Sequence, residues 1–257
     1  MATPTFHSRK RGKARPRLSA LPRAAWNARP ARGPVGKAEQ KGRSGAVRRR
    51  QTWQRFLVIM VKEPIAGRVK TRLASEIGTV AATGFYRHAS DAIIARLARD
   101  SRWRTWLAVA PDTTVVSRYW RHGVEWCRQG GGDLDQRMQR LFEMMPPGPV
   151  VIIGSDCPCM GTGDIAQAFR ALGNADAVFA PAEDGGYCLV GQHRTPRCLP
   201  MFKNVRWSSP FTLADTLANL NAHRVAMLRK VHDVDNADDL MRLNGSAGRR
   251  VLPPVQR

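Results

Sequence analysis

The sequence predicts an α/β protein of three layers, α/β/α, in which a mostly parallel sheet lies between two sets of helices. Three observations lead to this. Apolar runs such as RFLVIMV at 55–61 and VVII at 150–153 are continuous rather than alternating, the pattern of strands covered on both faces. Between such runs lie stretches with apolar residues at helical spacing, Phe85, Ile93, Ile94 and Leu97 among them. Strand and helix signals also take turns along the chain instead of segregating, as βαβ construction requires.

The first strand occupies 55–61, and a polar loop containing Pro64 and Gly67 follows it. A helix over 79–99 completes this βα unit. Further strands are expected at 105–110, 124–127, 150–153, 177–181, 187–190 and 225–228 from their apolar and β-branched content. Helices over 134–145, 163–172, 210–221 and 237–243 fill the intervals. Asp184-Gly185-Gly186, between AVFAPA and YCLVG, reads as a hairpin turn. HDVDNADDL reads as a helix start, with Asp235 or Asn236 as N-cap and acids in the first turn, where the helix dipole favours them.

Composition bounds the remainder. At 257 residues, 43% hydrophobic and 24% charged, the chain can bury one substantial core. A single globular domain is expected over 51–245, with a basic extension over 1–50 and a flexible tail over 246–257. Of the net charge of +22, about +14 falls in the first 50 residues, which hold Glu39 as their one acid. Rich in Arg, Pro, Gly and Ala, that extension cannot bury enough apolar surface to offset its ordering entropy. It reads as disordered, and as a solvated extension, a start codon assigned too early or an arm for anionic surfaces, so nucleic acid is a partner only through it. No apolar stretch of about 7–15 residues follows it, so a secretory signal is not expected. No run approaches the roughly 20 apolar residues of a membrane span, and membrane insertion is not expected either. The five cysteines include no C-x-x-C pair and are odd in number, which suits a reducing cytoplasm better than a disulfide framework. Cys157, Cys159 and His232 are poorly spaced for zinc, with one residue between the two cysteines.

Four carboxylates stand where strands give out: Asp133, Asp156, Asp184 and Asp235. In open α/β sheets ligands lie beyond the carboxyl ends of the strands, so these acids and the basic loop KEPIAGRVKTRL (62–73) are expected at one edge. Pro64 and Gly67 let backbone N–H groups approach an anion, while Lys62, Arg68, Lys70 and Arg72 supply charge. Basic side chains at a helix start oppose the macrodipole, an arrangement that a bound anion would relieve. Asp156, between the strand and Pro158, offers a hard oxygen ligand for Mg²⁺ or Mn²⁺ or else a turn residue. Glu183 and Asp184 beside two glycines suit either the turn alone or a base near a ligand. Asp233 and Asp235, two apart on an extended segment, point the same way. Trp207 could stack on a base or sugar, although a core position suits it as well.

Taken in order, KEPIAGRVKTRL, QGGGDLDQRM, IGSDCP, PAEDGGYCLVG, VRWSSP and HDVDNADDL resemble the radical-SAM/selenodomain-associated transferases. These are a GT-A-fold group related to molybdenum-cofactor and phospholactate guanylyltransferases, and the resemblance spans Phe56 to Leu243. It implies a GT-A (nucleotide-diphospho-sugar transferase) fold and a nucleotide-dependent transferase using Mg²⁺ or Mn²⁺. Lys62, Gly67, Arg68, Lys70 and Arg72 would hold the nucleotide phosphates, with Asp133 and Arg137 bordering the nucleotide. Asp156 and Asp235 would hold the metal. Asp184 and Glu183 would be catalytic, with Asp184 as base, and Gly185, Gly186 and Tyr187 would face the acceptor. Asp135 and Glu63 depart from the family pattern, and the full Gly-rich signature with its later lysine is missing. That favours glycosyl transfer from a nucleotide sugar to a small-molecule acceptor. Nucleotidyl transfer from a nucleoside triphosphate, with release of pyrophosphate, is the alternative. A nucleic-acid binder acting through the tail and a metal-dependent phosphohydrolase are the competing classes. The enzymatic reading requires Asp156 and Asp235 to share one cation opposite the basic loop.

Overall fold

Hydrophobic runs long enough to cross a sheet become its seven strands: β1 (Phe56–Lys62), β2 (Arg104–Ala110), β3 (Glu125–Arg128), β4 (Gly148–Gly154), β5 (Ala177–Pro181), β6 (Tyr187–Arg194) and β7 (Val225–Met227). Six helices alternate with them: α1 (Thr71–Ile77), α2 (Thr79–Ala98), α3 (Leu134–Met144), α4 (Thr162–Ala171), α5 (Thr212–Ala218) and α6 (Ala237–Ser246). The structure is a computed structural model and describes residues 54–246 apart from 115–118, 120–123 and 196. The expected basic extension over 1–50, and the tail from 247 onward, lie outside the described residues.

The strands form one sheet in the order β3-β2-β1-β4-β6-β5-β7. Four neighbouring pairs are parallel, and β6 alone runs antiparallel, to both β4 and β5. From β1 the chain winds outward through β2 to β3, then α3 carries it back to β4 on the other side of β1. The loops leaving β1 and β4 therefore diverge and open a crevice between them.

Side-chain alternation assigns the two buried faces. Leu57, Ile59 and Val61 of β1, with Val151 and Ile153 of β4, pack beneath α2 and α4 against Ile93, Leu97 and Phe169. Phe56 and Val58, with Val150 and Ile152, face the opposite layer, where α3 contributes Leu141 and Phe142. Both faces of β1 and β4 are thus dry, which explains their unbroken apolar sequence. A third cluster forms off the sheet: Leu73 of α1, Phe85 and Ala89 of α2, and Val234 and Leu240 at the start of α6.

Four elements differ from expectation, the simplest being α6, which runs on past 243 to Ser246. Helix α1 lies in what the sequence presents as loop, because seven residues with Leu73 alone buried carry no readable period and depend on packing. Strand β6 extends past 190 to Arg194 because it is hydrogen-bonded on both sides, which carries Gln192 and His193 into the sheet despite their polarity. Helix α5 is shorter than 210–221: past Ala218 the backbone tightens, with Leu220 N–H donating to the Leu217 carbonyl three residues back, and the Asn219 side chain ties this end to the carbonyls of Met201 and Lys203. The hairpin turn forms as read, with Ala182 N–H donating to the Gly186 carbonyl at 3.0 Å and Gly185 at φ 86°. Among the described residues no helix is long and apolar enough to cross a membrane.

Candidate functional site

At the crevice, Tyr86 of α2 joins the ends of β1 and β4. Its buried hydroxyl accepts from the Lys62 N–H at 2.8 Å and lies 3.0 Å from the Ser155 Oγ. Burial pushes the Tyr86 hydroxyl above its usual pKa. The neighbouring loop, 129–133, is held as firmly. Buried Gln129 donates to the carbonyls of Val61 and Ala108 at 3.1 and 2.8 Å, and Arg140 donates to those of Gln129 and Gly131. A cavity of about 630 Å³ opens over these strand ends, within the range of small-molecule sites.

Lys70 sits at the centre of it. The residue caps α1 in the left-handed region, φ 47° and ψ 50°, a conformation that costs a non-glycine residue about 1–2 kcal/mol. Its side chain is only 7% exposed, and the ammonium lies 2.9 Å from Asp235 Oδ1 and 3.5 Å from Asp156 Oδ2. One cation thus touches both carboxylates, although 165 and 86 residues separate them from it. Burial pulls the ammonium's pKa down, but Asp156 and Asp235 outweigh that and hold it above the ordinary lysine value. Arg72 approaches from the rim, 3.6 Å from Asp235 Oδ2.

Local sequence explains why these acids are available. Gly154 has no side chain where a Cβ would collide with Asp156 Oδ1, so the carboxylate can fold back over the end of β4. At the other acid, capping falls to its neighbour. Asn236 Oδ1 accepts from Asp239 N–H, and Asp239 Oδ2 accepts in return from the Asp235 and Asn236 N–H groups. The helix start is satisfied by Asn236 and Asp239, which leaves the Asp235 carboxylate to Lys70. Asp233 also lines the cavity, and its carboxyl is pushed up to about 6, by burial first and then by Asp235, Asp184 and Asp156.

The far wall comes from the hairpin turn and the segment before α5. Asp184 and Gly186 line it, with Asp184 Oδ1 accepting the Gly186 N–H at 2.9 Å. Behind them Tyr187, Trp207 and Phe202 form an aromatic cluster. Ser208, at φ 55°, is strained as Lys70 is, so of the three non-glycine residues with positive φ among the described residues two line one cavity.

The structure brings Lys62, Lys70, Arg72, Asp156, Asp184, Gly186, Tyr187 and Asp235 together along the cavity. Gly67 and Arg68 are exposed and do not line it. Asp133 stands at the N-cap position of α3 without a side-chain capping bond and faces a smaller neighbouring hollow beside Asp135 and Asn204. Gly185 stands behind the wall, against Pro210. Glu183 turns away to His232, 3.1 Å from its Nδ1, and Cys159 donates to the His232 carbonyl. Sequence reasoning passed over Tyr86, Ser155 and Ser208. Tyr86 reads as one more residue of a buried helix face, and a left-handed serine leaves no trace in the sequence. Trp207, weighed as core or stacking residue, packs against the core cluster on the α3 side of the sheet and also lines the cavity.

Among the described residues no three His, Cys, Asp or Glu side chains form a ready-made metal cage. Comparison with known proteins bears on the fold. Residues 93–209 are similar to a bacterial family described as "Uncharacterized protein conserved in bacteria (DUF2064)". No curated protein matches the sequence. A solved protein from Desulfovibrio desulfuricans G20, provisionally assigned as a nucleotide-diphospho-sugar transferase, is 26% identical. It superposes with a TM-score of 0.68 over 76% of this chain and 89% of its own. A 4-diphosphocytidyl-2C-methyl-D-erythritol synthase from Anaerococcus prevotii DSM 20548 shares the fold at 9% identity, with a TM-score of 0.51 over 76% of this chain and 99% of its own. The seven-stranded, mostly parallel sheet with helices on both faces is therefore a GT-A-like nucleotide-diphospho-sugar transferase fold.

Proposed function

We propose that the protein is a metal-dependent transferase that takes a nucleotide-sugar donor and passes the sugar to a small-molecule acceptor. The observation that carries this reading is the meeting of Lys70, Asp156 and Asp235, from three separate loops, at one cavity on the carboxyl ends of the parallel strands. The 26% identical structure, provisionally assigned as a nucleotide-diphospho-sugar transferase, and the six-motif resemblance support the same reading.

The donor set suits a hard divalent cation. Asp156 and Asp235 present carboxylate oxygens within reach of one positive group, and Mg²⁺ commonly takes one or two carboxylates plus substrate phosphates and water. When bound there, Mg²⁺ or Mn²⁺ supplies charge neutralisation for the diphosphate as its bond to the sugar breaks. Lys70 and Arg72 grip the phosphates by charge and hydrogen bonds, and Lys62 and Arg137 add positive potential along the cavity. Asp184 has one oxygen committed to the Gly186 N–H and keeps the other for the acceptor's hydroxyl proton. The acceptor oxygen then bonds to the anomeric carbon as the nucleoside diphosphate leaves, its negative charge held by the same basic groups. Tyr187 and Trp207 give the acceptor an aromatic wall that keeps water away from the anomeric carbon. Nucleotidyl transfer would use the same phosphate grip, with attack at phosphorus and pyrophosphate as the leaving group.

A thermal-shift panel of nucleoside triphosphates and nucleotide sugars, with and without Mn²⁺, tests the reading. A ligand at 100 times its Kd stabilises the fold by about 2.7 kcal/mol. The expected result is a nucleotide-sugar response that needs Mn²⁺ and disappears in Asp156→Asn. Release of nucleoside diphosphate then identifies glycosyl transfer, and pyrophosphate identifies nucleotidyl transfer. No response to any nucleotide under either condition would overturn the reading.

A further inference from the structure

The buried ammonium of Lys70 occupies the spot between Asp156 and Asp235 that a divalent cation would take. We propose that Lys70 is a tethered cation that holds this position in the free protein and is exchanged out of it by the incoming metal, so that its ammonium is released to the donor phosphates. The inference rests on the metal-dependent reading above and adds to it an order of events.

The geometry carries the argument. Both carboxylates are partly exposed, at 45% and 37%, so a hydrated ion can reach them, whereas the lysine side chain is 7% exposed and lies beneath. An ammonium and a divalent ion cannot both stand within contact of the same two oxygens, because their like charges would repel at close range. The exchange is favourable for the acids: Lys70 is the one cation that touches both, with Arg72 reaching only Asp235 from the exposed rim, and a divalent ion brings two charges to the shared position in place of one. It is unfavourable for Lys70, which loses both partners inside a cavity wall, unless a new anion meets it. The donor's diphosphate is such an anion, and the four-carbon stem needs only a rotamer change to deliver the ammonium to it. The left-handed backbone of Lys70 at the start of α1 keeps the stem aimed into the cavity. Free metal alone must therefore bind weakly, while metal presented with phosphates binds well. Metal and nucleotide are coupled through one side chain, an effect of the size usual for such coupling, roughly 5–150-fold.

The test is Mn²⁺ alone, titrated into the full-length protein and followed by the electron paramagnetic resonance signal of free ion. Lys70→Met removes the ammonium and keeps the stem. Lys70→Gly removes the whole side chain, and its backbone adopts φ 47° without strain, so it folds even if the methionine variant does not. Both variants are expected to bind Mn²⁺ about tenfold more tightly than the natural protein, within the usual range of such couplings. In Mn²⁺-soaked crystals of the natural protein, the anomalous peak is expected between Asp156 and Asp235, with the Lys70 ammonium no longer in contact with either. Equal Mn²⁺ affinity in all three proteins, or Lys70 unmoved beside a bound ion, overturns the exchange and leaves the metal-dependent reading standing. Failure of all three proteins to bind Mn²⁺ overturns both.

Discussion

Replacing Gly185 by alanine provides a sharp test of how the turn bearing Asp184 is held. Gly185 sits at φ 86°, and a Cβ built there would lie 2.6 Å from the Pro210 Cα and 2.7 Å from the Pro210 carbonyl carbon, closer still to its oxygen. The left-handed conformation costs an alanine about 1–2 kcal/mol. The clash is with backbone, which has no rotamer to change, so the turn and the segment entering α5 must separate, at about 1–3 kcal/mol on the scale of overpacked sites. Their separation strains the Leu213 N–H to Gly185 carbonyl bond, now 3.0 Å, worth about 1 kcal/mol more. The total is about 3–6 kcal/mol. Gly67 is the internal control: it has φ 78° but nothing within 4 Å of its virtual Cβ, so Gly67→Ala carries the conformational cost alone, about 1–2 kcal/mol. Urea unfolding of the two variants at equal slope, read from the midpoints, measures the difference. Equal losses for Gly185→Ala and Gly67→Ala would refute the claim that Pro210 buttresses the turn.

Four further expectations concern the strand ends at the cavity and the starts of α6 and α4. Tyr86→Phe leaves the Lys62 N–H and the Ser155 hydroxyl without their buried partner and costs about 1–3 kcal/mol in urea unfolding; a loss below about 0.5 kcal/mol would mean that water replaces the hydroxyl. Asn236→Ala removes the cap of α6 and lowers stability by about 1 kcal/mol with Mn²⁺ affinity unchanged. Asp235→Asn weakens Mn²⁺ binding at least about tenfold and lowers the unfolding midpoint as well, because the buried Lys70 ammonium loses the nearer of its two carboxylate partners. Asp164 is half-buried, which works against its charge, but hydrogen bonds from Arg229 and the Gly161 N–H outweigh this and hold its pKa below the usual value. Its contribution is therefore complete above the ordinary carboxylate pKa of about 4 and is lost as pH falls through the lower folded value. Unfolding midpoints measured from pH 7 to pH 2 should show Asp164→Asn less stable than the natural protein at pH 7, with the gap closing at the acid end. A gap that persists unchanged to pH 2 would contradict this.

Legibility in the sequence followed how local each signal was. Strands β1 and β4 were readable because full burial on two faces demands an apolar residue at nearly every position. The Asp-Gly-Gly hairpin was readable because a positive φ demands glycine. Helix α1 was not, since seven residues with one buried leucine look like loop until Phe85 and Val234 pack on them. Asp156 and Asp235 could be named as acids at strand and helix ends, but each had an ordinary capping or turn role available. Only the fold assigned the capping to Asn236 and Asp239 and left Asp235 free. It likewise turned Glu183 toward His232 and left Asp133 and Arg68 off the cavity, which no spacing could reveal.

By itself, then, the sequence determined the α/β class, the strand positions and the inventory of acids and bases at the sheet edge, because these depend on periodicity and on residues a few positions apart. The tertiary structure decided which of them meet. The cluster of Leu73, Phe85, Val234 and Leu240 presses the start of α1 against the start of α6 and so carries Lys70 to Asp235 across 165 residues of chain. Contacts at such separation are set by the packing of whole elements, each buried for reasons of its own, and no local pattern records them.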